Sequence, residues 1–397
     1  MRINRQNEQA DFDLICFSHL RWSFVFQRPQ HLLSRCAKAR RVFYVEEPLS
    51  SEGGAPRLDV TLDPATQVTV VVPHLPDGLS DQEREHVQAR LISELCEEHG
   101  IDQPVGWFYT PMALPLAAGL QLRACVYDCM DELSAFRGAP PSLLVREAEL
   151  MAVADVVFTG GHAIFEAKRD LHHNIHPFPS SVDTAHFGQA RQASEEPADQ
   201  ASIPGPRLGF FGVIDERMDL ALLEGVARAR PDWQLVILGP VVKIDEADLP
   251  RLSNIHYLGG KSYAELPRYI AGWDVALLPF AKNESTRFIS PTKTPEYLAA
   301  GKPVVSTSIR DVVRPYSALN LVRIADTPEA FVAACEAAIA EPTEQLISRA
   351  DPFLAKTSWD LTWRQMDELV QRAVRDNMRS SGERFHISSP AQQREVG

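Results

Sequence analysis

The sequence predicts an α/β protein built from two Rossmann-like, doubly wound domains and closed by a C-terminal crossover helix. Three observations carry this prediction. Short apolar or β-branched runs alternate with amphipathic stretches along the whole chain, the signature of βα units around a parallel sheet. The polar segment "FGQARQASEEPADQASIPGP", residues 187–206, interrupts that rhythm with three prolines and no sustained apolar period, so it reads as a linker. After it, the βα rhythm starts again.

In the first domain, residues 1–186, strands are expected at Leu14 to Ser18, Val42 to Glu46, Val68 to Pro73, Val105 to Tyr109, Ala124 to Tyr127 and Val156 to Thr159. Helical patterns lie between them near Gln27 to Ala39, Asp81 to His99, Ser142 to Ala152 and His162 to Asp170. The second domain, residues 207–355, repeats the scheme. Its strands fall at Arg207 to Phe211, Gln234 to Leu238, Ile255 to Leu258, Val275 to Leu278, Pro303 to Ser306 and Leu321 to Ile324, and its helices at Leu220 to Ala229, Tyr263 to Ala271, Pro295 to Ala300 and Pro328 to Ala340. Within residues 356–378, Trp359, Trp363, Met366, Leu369 and Val370 recur at helical spacing, which predicts a helix with one apolar face, crossing back onto the first domain. Residues 379–397 are polar and read as a disordered tail.

Length and composition agree with this architecture. The 397 residues suit two or three domains, and 45% hydrophobic with 23% charged residues is the balance of an ordinary globular protein. Acids outnumber bases 53 to 40, a net charge of −13 that disfavours sequence-independent nucleic-acid binding. The polar start and the lack of an apolar run of spanning length predict a cytoplasmic protein. Cys16, Cys36, Cys96, Cys125, Cys129 and Cys335 sit mostly inside apolar runs and read as reduced core thiols. No metal site is expected, because Cys125 and Cys129 lack zinc-knuckle spacing.

Ligands of open parallel sheets bind outside the carboxyl ends of the strands. Asp11 and Asp13 precede their strand and are read as a solvated strand start. The segment "LLPFAKNESTRFISPTKTPEYLAAGKPVVST", from Leu277, is the most informative. A buried strand runs into a polar loop holding Asn283, Ser290, Thr292 and Lys293, and a short helix follows with Thr294 as N-cap, Pro295 at its first position and Glu296 in its first turn. A helix mouth offers N–H groups to an anion, and a Glu there can accept hydrogen bonds from both hydroxyls of a ribose. That arrangement fits a nucleoside diphosphate. On the residues alone, an ordinary connection with a dipole-complementing Glu fits equally well.

"EYLAAGKPVVST" resembles the nucleotide-binding signature of GT-B glycosyltransferases, especially the retaining family 4 enzymes, and "SPTKTPEYLAAGKPVV" is similar to the bacterial teichuronic-acid-type, family 1-like subgroup. The resemblance implies a nucleotide-sugar donor held mainly by the second domain, with Glu296 on the donor ribose, and no cofactor or metal. One departure stands out: Phe288 occupies the place of a second Glu eight positions before Glu296. In "RLGFFGVIDERMD" a strand runs into Gly212, where close backbone approach to phosphate is expected, and Arg217 with Lys293 are the cations available to the diphosphate, since Val213 replaces the usual Arg. Arg217 could equally pair with Asp215 or Asp219.

In the first domain "W…QRPQHL" resembles the opening signature of the same subgroup, which puts Trp22, Gln27, Arg28 and His31 on the acceptor side. Asp131 and His162, just after two strands, are the candidate catalytic groups, with helix capping as the alternative role for Asp128 and a helix start for His162. Arg28, Arg35, Lys38, Arg40 and Arg41 form an acid-free basic run, read either as peripheral contact with an anionic membrane surface or as a solvated helix face. The expected reaction is transfer of a hexose-type sugar to a hydroxyl of a carbohydrate, lipid-linked or small-molecule acceptor in polysaccharide or glycolipid assembly. Two alternatives remain at this level, a nucleotide-sugar epimerase and an inactive sugar-nucleotide-binding protein.

Overall fold

The computed structural model describes residues 12–51, 53–193 and 195–379 and the backbone of Phe385–His386. The chain builds two parallel sheets, each flanked by helices. In the first half the strands are β1 (Leu14–Phe17), β2 (Val42–Val45), β3 (Leu49–Ser50), β4 (Arg57–Leu62), β5 (Thr69–Leu75), β6 (Val105–Phe108), β7 (Gln121–Leu122), β8 (Ala124–Cys129), β9 (Val156–Thr159) and β10 (Ile175–Pro177). All but β7 join one sheet in the order β10-β9-β8-β6-β1-β2-β5-β3, with β4 antiparallel on β5. The central strands β1, β2, β6, β8 and β9 are buried along their whole length, as unbroken apolar runs in a parallel sheet covered on both faces must be. The covering helices are α1 (Arg28–Cys36), α2 (Asp81–His99), α3 (Ser142–Val153) and α4 (His162–Lys168). Helix α2 begins at the capping box of Ser80 and Glu83 and ends on left-handed Gly100.

The second half holds β11 (Arg207–Phe211), β12 (Gln234–Leu238), β13 (Ile255–Tyr257), β14 (Val275–Leu278), β15 (Val304–Ser306) and β16 (Val322–Ile324), all parallel in the order β13-β12-β11-β14-β15-β16. The stretch expected to be a polar linker is partly ordered into α5 (Thr184–Gly188) and α6 (Ala198–Ala201). Phe187, Ala190 and Ile203 from it enter the second hydrophobic core, and Gln200 bridges the Trp273 indole and the Tyr269 carbonyl, each at 2.9 Å. The remaining helices are α7 (Leu220–Ala229), α8 (Leu266–Ala271), α9 (Lys293–Ala299), α10 (Arg310–Val313), α11 (Pro328–Ile339), α12 (Thr343–Leu354) and α13 (Trp359–Arg379).

Helix α13 crosses back to the first half, where Trp359, Met366, Val370, Ala373 and Val374 complete the core beneath β1, β6 and β9. Most of the tail expected from Arg379 lies outside the described residues, but Phe385–His386 pair antiparallel with β7. All six cysteines are free and buried. Among the described residues no helix is long and apolar enough to cross a membrane.

Candidate active site

The carboxyl end of β11 runs into Gly212, at φ +136, a region that favours glycine. A Cβ there would lie 2.3 Å from Lys293 Cε and 2.7 Å from Nζ, so the missing side chain makes room for the Lys293 ammonium over the strand end. Gly239, at φ +144 beyond β12, brings a second backbone against this point: its Cβ would meet the Gly212 carbonyl oxygen at 1.8 Å. The sequence reading did not single out Gly239, although it occupies the same place after β12 as Gly212 does after β11.

Helix α9 starts two residues earlier than expected from Pro295, with Thr292 rather than Thr294 in the N-cap position and no side-chain capping bond. Thr294 is therefore inside the first turn, fully buried, and its Oγ1 has no hydrogen-bond partner. Glu296 is 6% exposed and its Oε2 is likewise unpartnered. Burial pushes the Glu296 carboxyl up to about 8 against the pull of Lys293. Burial also lowers the Lys293 ammonium to about 8, opposed by Glu296. The ammonium stands 5.7 and 5.9 Å over the rings of Phe210 and Phe211. The Tyr263 hydroxyl, within the electrostatic reach of Glu296, is a third buried polar atom without a partner. Each such orphan costs about 1–3 kcal/mol unless something bonds it. The Tyr297 hydroxyl accepts from the Phe211 N–H at 3.1 Å and fixes α9 against β11.

The other donor-side candidates fare differently. Arg217 holds Asp215 through Nε at 3.0 Å and Nη2 at 2.6 Å, the pairing that the sequence left open, while its guanidinium lies 5.7 Å from the Phe136 ring of the first half. Asn283 is engaged by its neighbours: its Oδ1 accepts the Thr286 N–H at 3.1 Å and its Nδ2 donates to the Glu216 carbonyl at 3.1 Å. Ser290 hydrogen-bonds the Asp311 carboxylate. Phe288 packs against the first hydrophobic core, so the position where an acid was expected is a contact between the two halves.

On the opposite wall, Asp131 is half-buried beyond β8 and raises the pKa of His19. His19 follows β1, and the Nδ1 of its imidazole is buried without a partner. Burial lowers its pKa, Asp131 opposes this, and Lys243 from the other half lowers it further. Lys243, at φ +64, holds its ammonium 5.1 Å over the Phe136 ring and 4.0 Å from Glu216, whose two carboxylate oxygens lack hydrogen-bond partners. Sequence reasoning missed His19, Glu216 and Lys243, although His19 satisfies the same strand-end rule that selected Asp131.

His162 is the first residue of α4. Its side chain is exposed, and it is the backbone N–H groups of His162 and Ala163 that bond the Asp311 carboxylate, at 2.8 and 2.9 Å, joining the two halves. Trp22, Gln27, Arg28 and His31, expected on the acceptor side, each have partners within the first half or on α13. Trp22 is buried, its N–H on Glu46 at 2.7 Å and its indole on Asp63 at 2.8 Å. Gln27 caps α1 in a box with Gln30. Arg28, 2% exposed, binds Asp128 through Nη2 at 2.9 Å and the Phe178 carbonyl at 2.7 Å. His31 stacks on Trp359 at 4.5 Å and 9°, and burial drives its pKa down to about 3. Within the basic run Arg35 pairs with Asp360, Arg40 with Asp367 and Arg41 with Asp13, while Lys38 and Arg41 are exposed.

Residues 205–341 match the family described as Glycosyl transferases group 1. The chain is 26% identical over 302 residues to the putative teichuronic acid biosynthesis glycosyltransferase TuaH of Bacillus subtilis, an alignment spanning 71% of this chain and 75% of that protein. Sucrose-phosphate synthase from Thermosynechococcus elongatus superposes with a TM-score of 0.67 at 13% identity, over 92% of this chain and 100% of that one. Anabaena HepE in complex with UDP and glucose gives a TM-score of 0.61 at 14% identity, over 90% and 99%. These likenesses show the fold, and the family match and the relative show the class of enzyme. The chain is a glycosyltransferase of the two-domain GT-B type whose second domain carries the group 1 glycosyl transferase sequence.

Proposed function

We propose that the enzyme moves a sugar from a nucleoside-diphosphate-sugar to a hydroxyl acceptor, with retention of anomeric configuration and without a metal, in the cytoplasmic assembly of a polysaccharide or glycolipid. The observation that carries this reading is the pair of orphaned, buried polar atoms on α9, Glu296 Oε2 and Thr294 Oγ1, beside an ammonium that meets rings and glycine backbone. The ribose hydroxyls donate to the Glu296 carboxylate. Lys293 and the backbone around Gly212 and Gly239 receive the diphosphate, with Arg217 at its flank.

As the bond between the anomeric carbon and the diphosphate oxygen breaks, negative charge accumulates on the leaving group, where Lys293 already stands, and a preformed cation at that point stabilises the transition state more than the ground state. The acceptor oxygen then bonds the anomeric carbon, and its proton passes to the departing diphosphate. His19 and Asp131 line the wall from which the acceptor approaches. The six buried, unpaired thiols support a reducing compartment.

A panel of nucleoside-diphosphate sugars, assayed for nucleoside-diphosphate release with EDTA present and for product anomer by NMR, tests the proposal. Release that persists in EDTA with retained configuration is expected. An inverted product refutes retention, and loss of turnover in EDTA refutes metal independence.

A further inference from the structure

A cavity of about 780 Å³ opens between the two halves beside the Asp311 contact, and Gly212 is not among its lining residues. Its volume is that of a small-molecule site. One wall is α4 and its C-cap, with Glu166 and Arg169; the other is formed by the loops after β14 and β15 and the start of α10, with Lys282, Glu284, Arg287 and Arg310. Four cations line it, and each has a carboxylate within 4 Å, so what distinguishes them is how tightly each is held.

Two of these cations are engaged by carboxylates: Arg310 pairs with Glu166 across the cleft, and Lys282 pairs with Asp326 at 2.9 Å. The other two are held loosely. Arg169 is 3.9 Å from Asp170 and Arg287 is 3.7 Å from Glu284, beyond hydrogen-bond length, with side chains 59% and 66% exposed. One comes from each half of the protein, and Arg287 lies 5.1 Å over the Phe288 ring, which also lines the cavity. Planar guanidinium groups of this kind bind carboxylate and phosphate oxygens in bidentate fashion, and an aromatic face suits the C–H face of a sugar.

We propose that this cavity takes the anionic end, phosphate or carboxylate, of an acidic sugar acceptor, with Arg169 and Arg287 as the groups that select it. The inference rests on the donor reading above, which assigns the donor's phosphates to Gly212 and Lys293 and so leaves these two loosely held guanidinium groups to the other substrate. Phe288, eight residues before Glu296, then serves the acceptor in place of an acid.

The test is calorimetric titration of the full chain, with UDP present, with glucose 6-phosphate, glucuronate and glucose. At least one anionic sugar is expected to bind about tenfold tighter than glucose, and which one does so identifies the group. In the Arg169→Gln/Arg287→Gln variant that preference is expected to vanish while UDP affinity holds. Equal binding of all three sugars, binding of none of them while UDP binds, or a preference that survives in the double variant overturns the proposal. Anionic-sugar preference without UDP binding would sustain the cavity assignment and fail the donor assignment.

Discussion

Replacing Glu296 by Gln is expected to move stability and donor affinity in opposite directions. The carboxyl is 6% exposed, and its Oε2 accepts no hydrogen bond, so ionising it in the free enzyme is unfavourable and its pKa rises from 4.5 to about 8. The folded state therefore binds more protons than the unfolded state between these two values, and stability falls as pH rises through that window. Gln keeps the shape without the charge, so the variant escapes that fall. The gain at alkaline pH is the cost of ionising the buried carboxyl, about 1.4 kcal/mol per pKa unit, since the amide keeps the unpartnered polar position but carries no charge. In the complex the balance reverses. Two ribose hydroxyls donating to a carboxylate contribute about 1.5–3 kcal/mol, so the variant loses about ten- to a hundred-fold in nucleoside-diphosphate affinity. Thermal unfolding across the pH range, paired with calorimetry of nucleoside-diphosphate binding, reads both effects. Wild-type affinity in the variant, or a lower melting temperature at alkaline pH, would refute the reasoning.

Because ribose favours ionised Glu296 and diphosphate favours charged Lys293, both of which titrate at about 8, nucleoside-diphosphate affinity should climb with pH below that value and decline above it; calorimetry in a pH series checks this, and a flat profile argues against the pair. Asp311→Asn should loosen the contact between the halves, since a charged acceptor of two N–H bonds is lost. Faster amide exchange at His162 and Ala163 is the readout, and unchanged protection would mean that the carboxylate is dispensable there. Asp128→Ala strands the buried Arg28 guanidinium and should destabilise the protein by about 3–5 kcal/mol in chemical denaturation, whereas a loss under about 1 kcal/mol would show that the pair is replaceable.

The sheet strands and the long helices were legible because their signals are local. Helix α2 begins and ends where Ser80 and Gly100 dictate, and β14 is a single apolar run. Two elements hid for local reasons as well. Pro352 inside α12 masks the spacing of Leu346, Ala350 and Leu354, and β4 is a largely exposed edge strand whose alternation of Leu58, Val60 and Leu62 was the available signal.

The site was legible in part. The turn carrying Lys293, Thr294 and Glu296 is written in consecutive residues, whereas the fate of each cation depends on partners far away in the chain. Arg28 meets Asp128, and Arg35 and Arg40 meet Asp360 and Asp367 on α13. No window along the sequence places those acids beside the basic run, which is why it reads as free charge.

The return of α13 has a consequence for how the molecule is made. Trp359 lies face to face with His31, and Met366 sits by the Arg28 guanidinium. During synthesis, the half that leaves the ribosome early must wait with an open seam until every strand of its neighbour has been translated, and only then does the plug arrive.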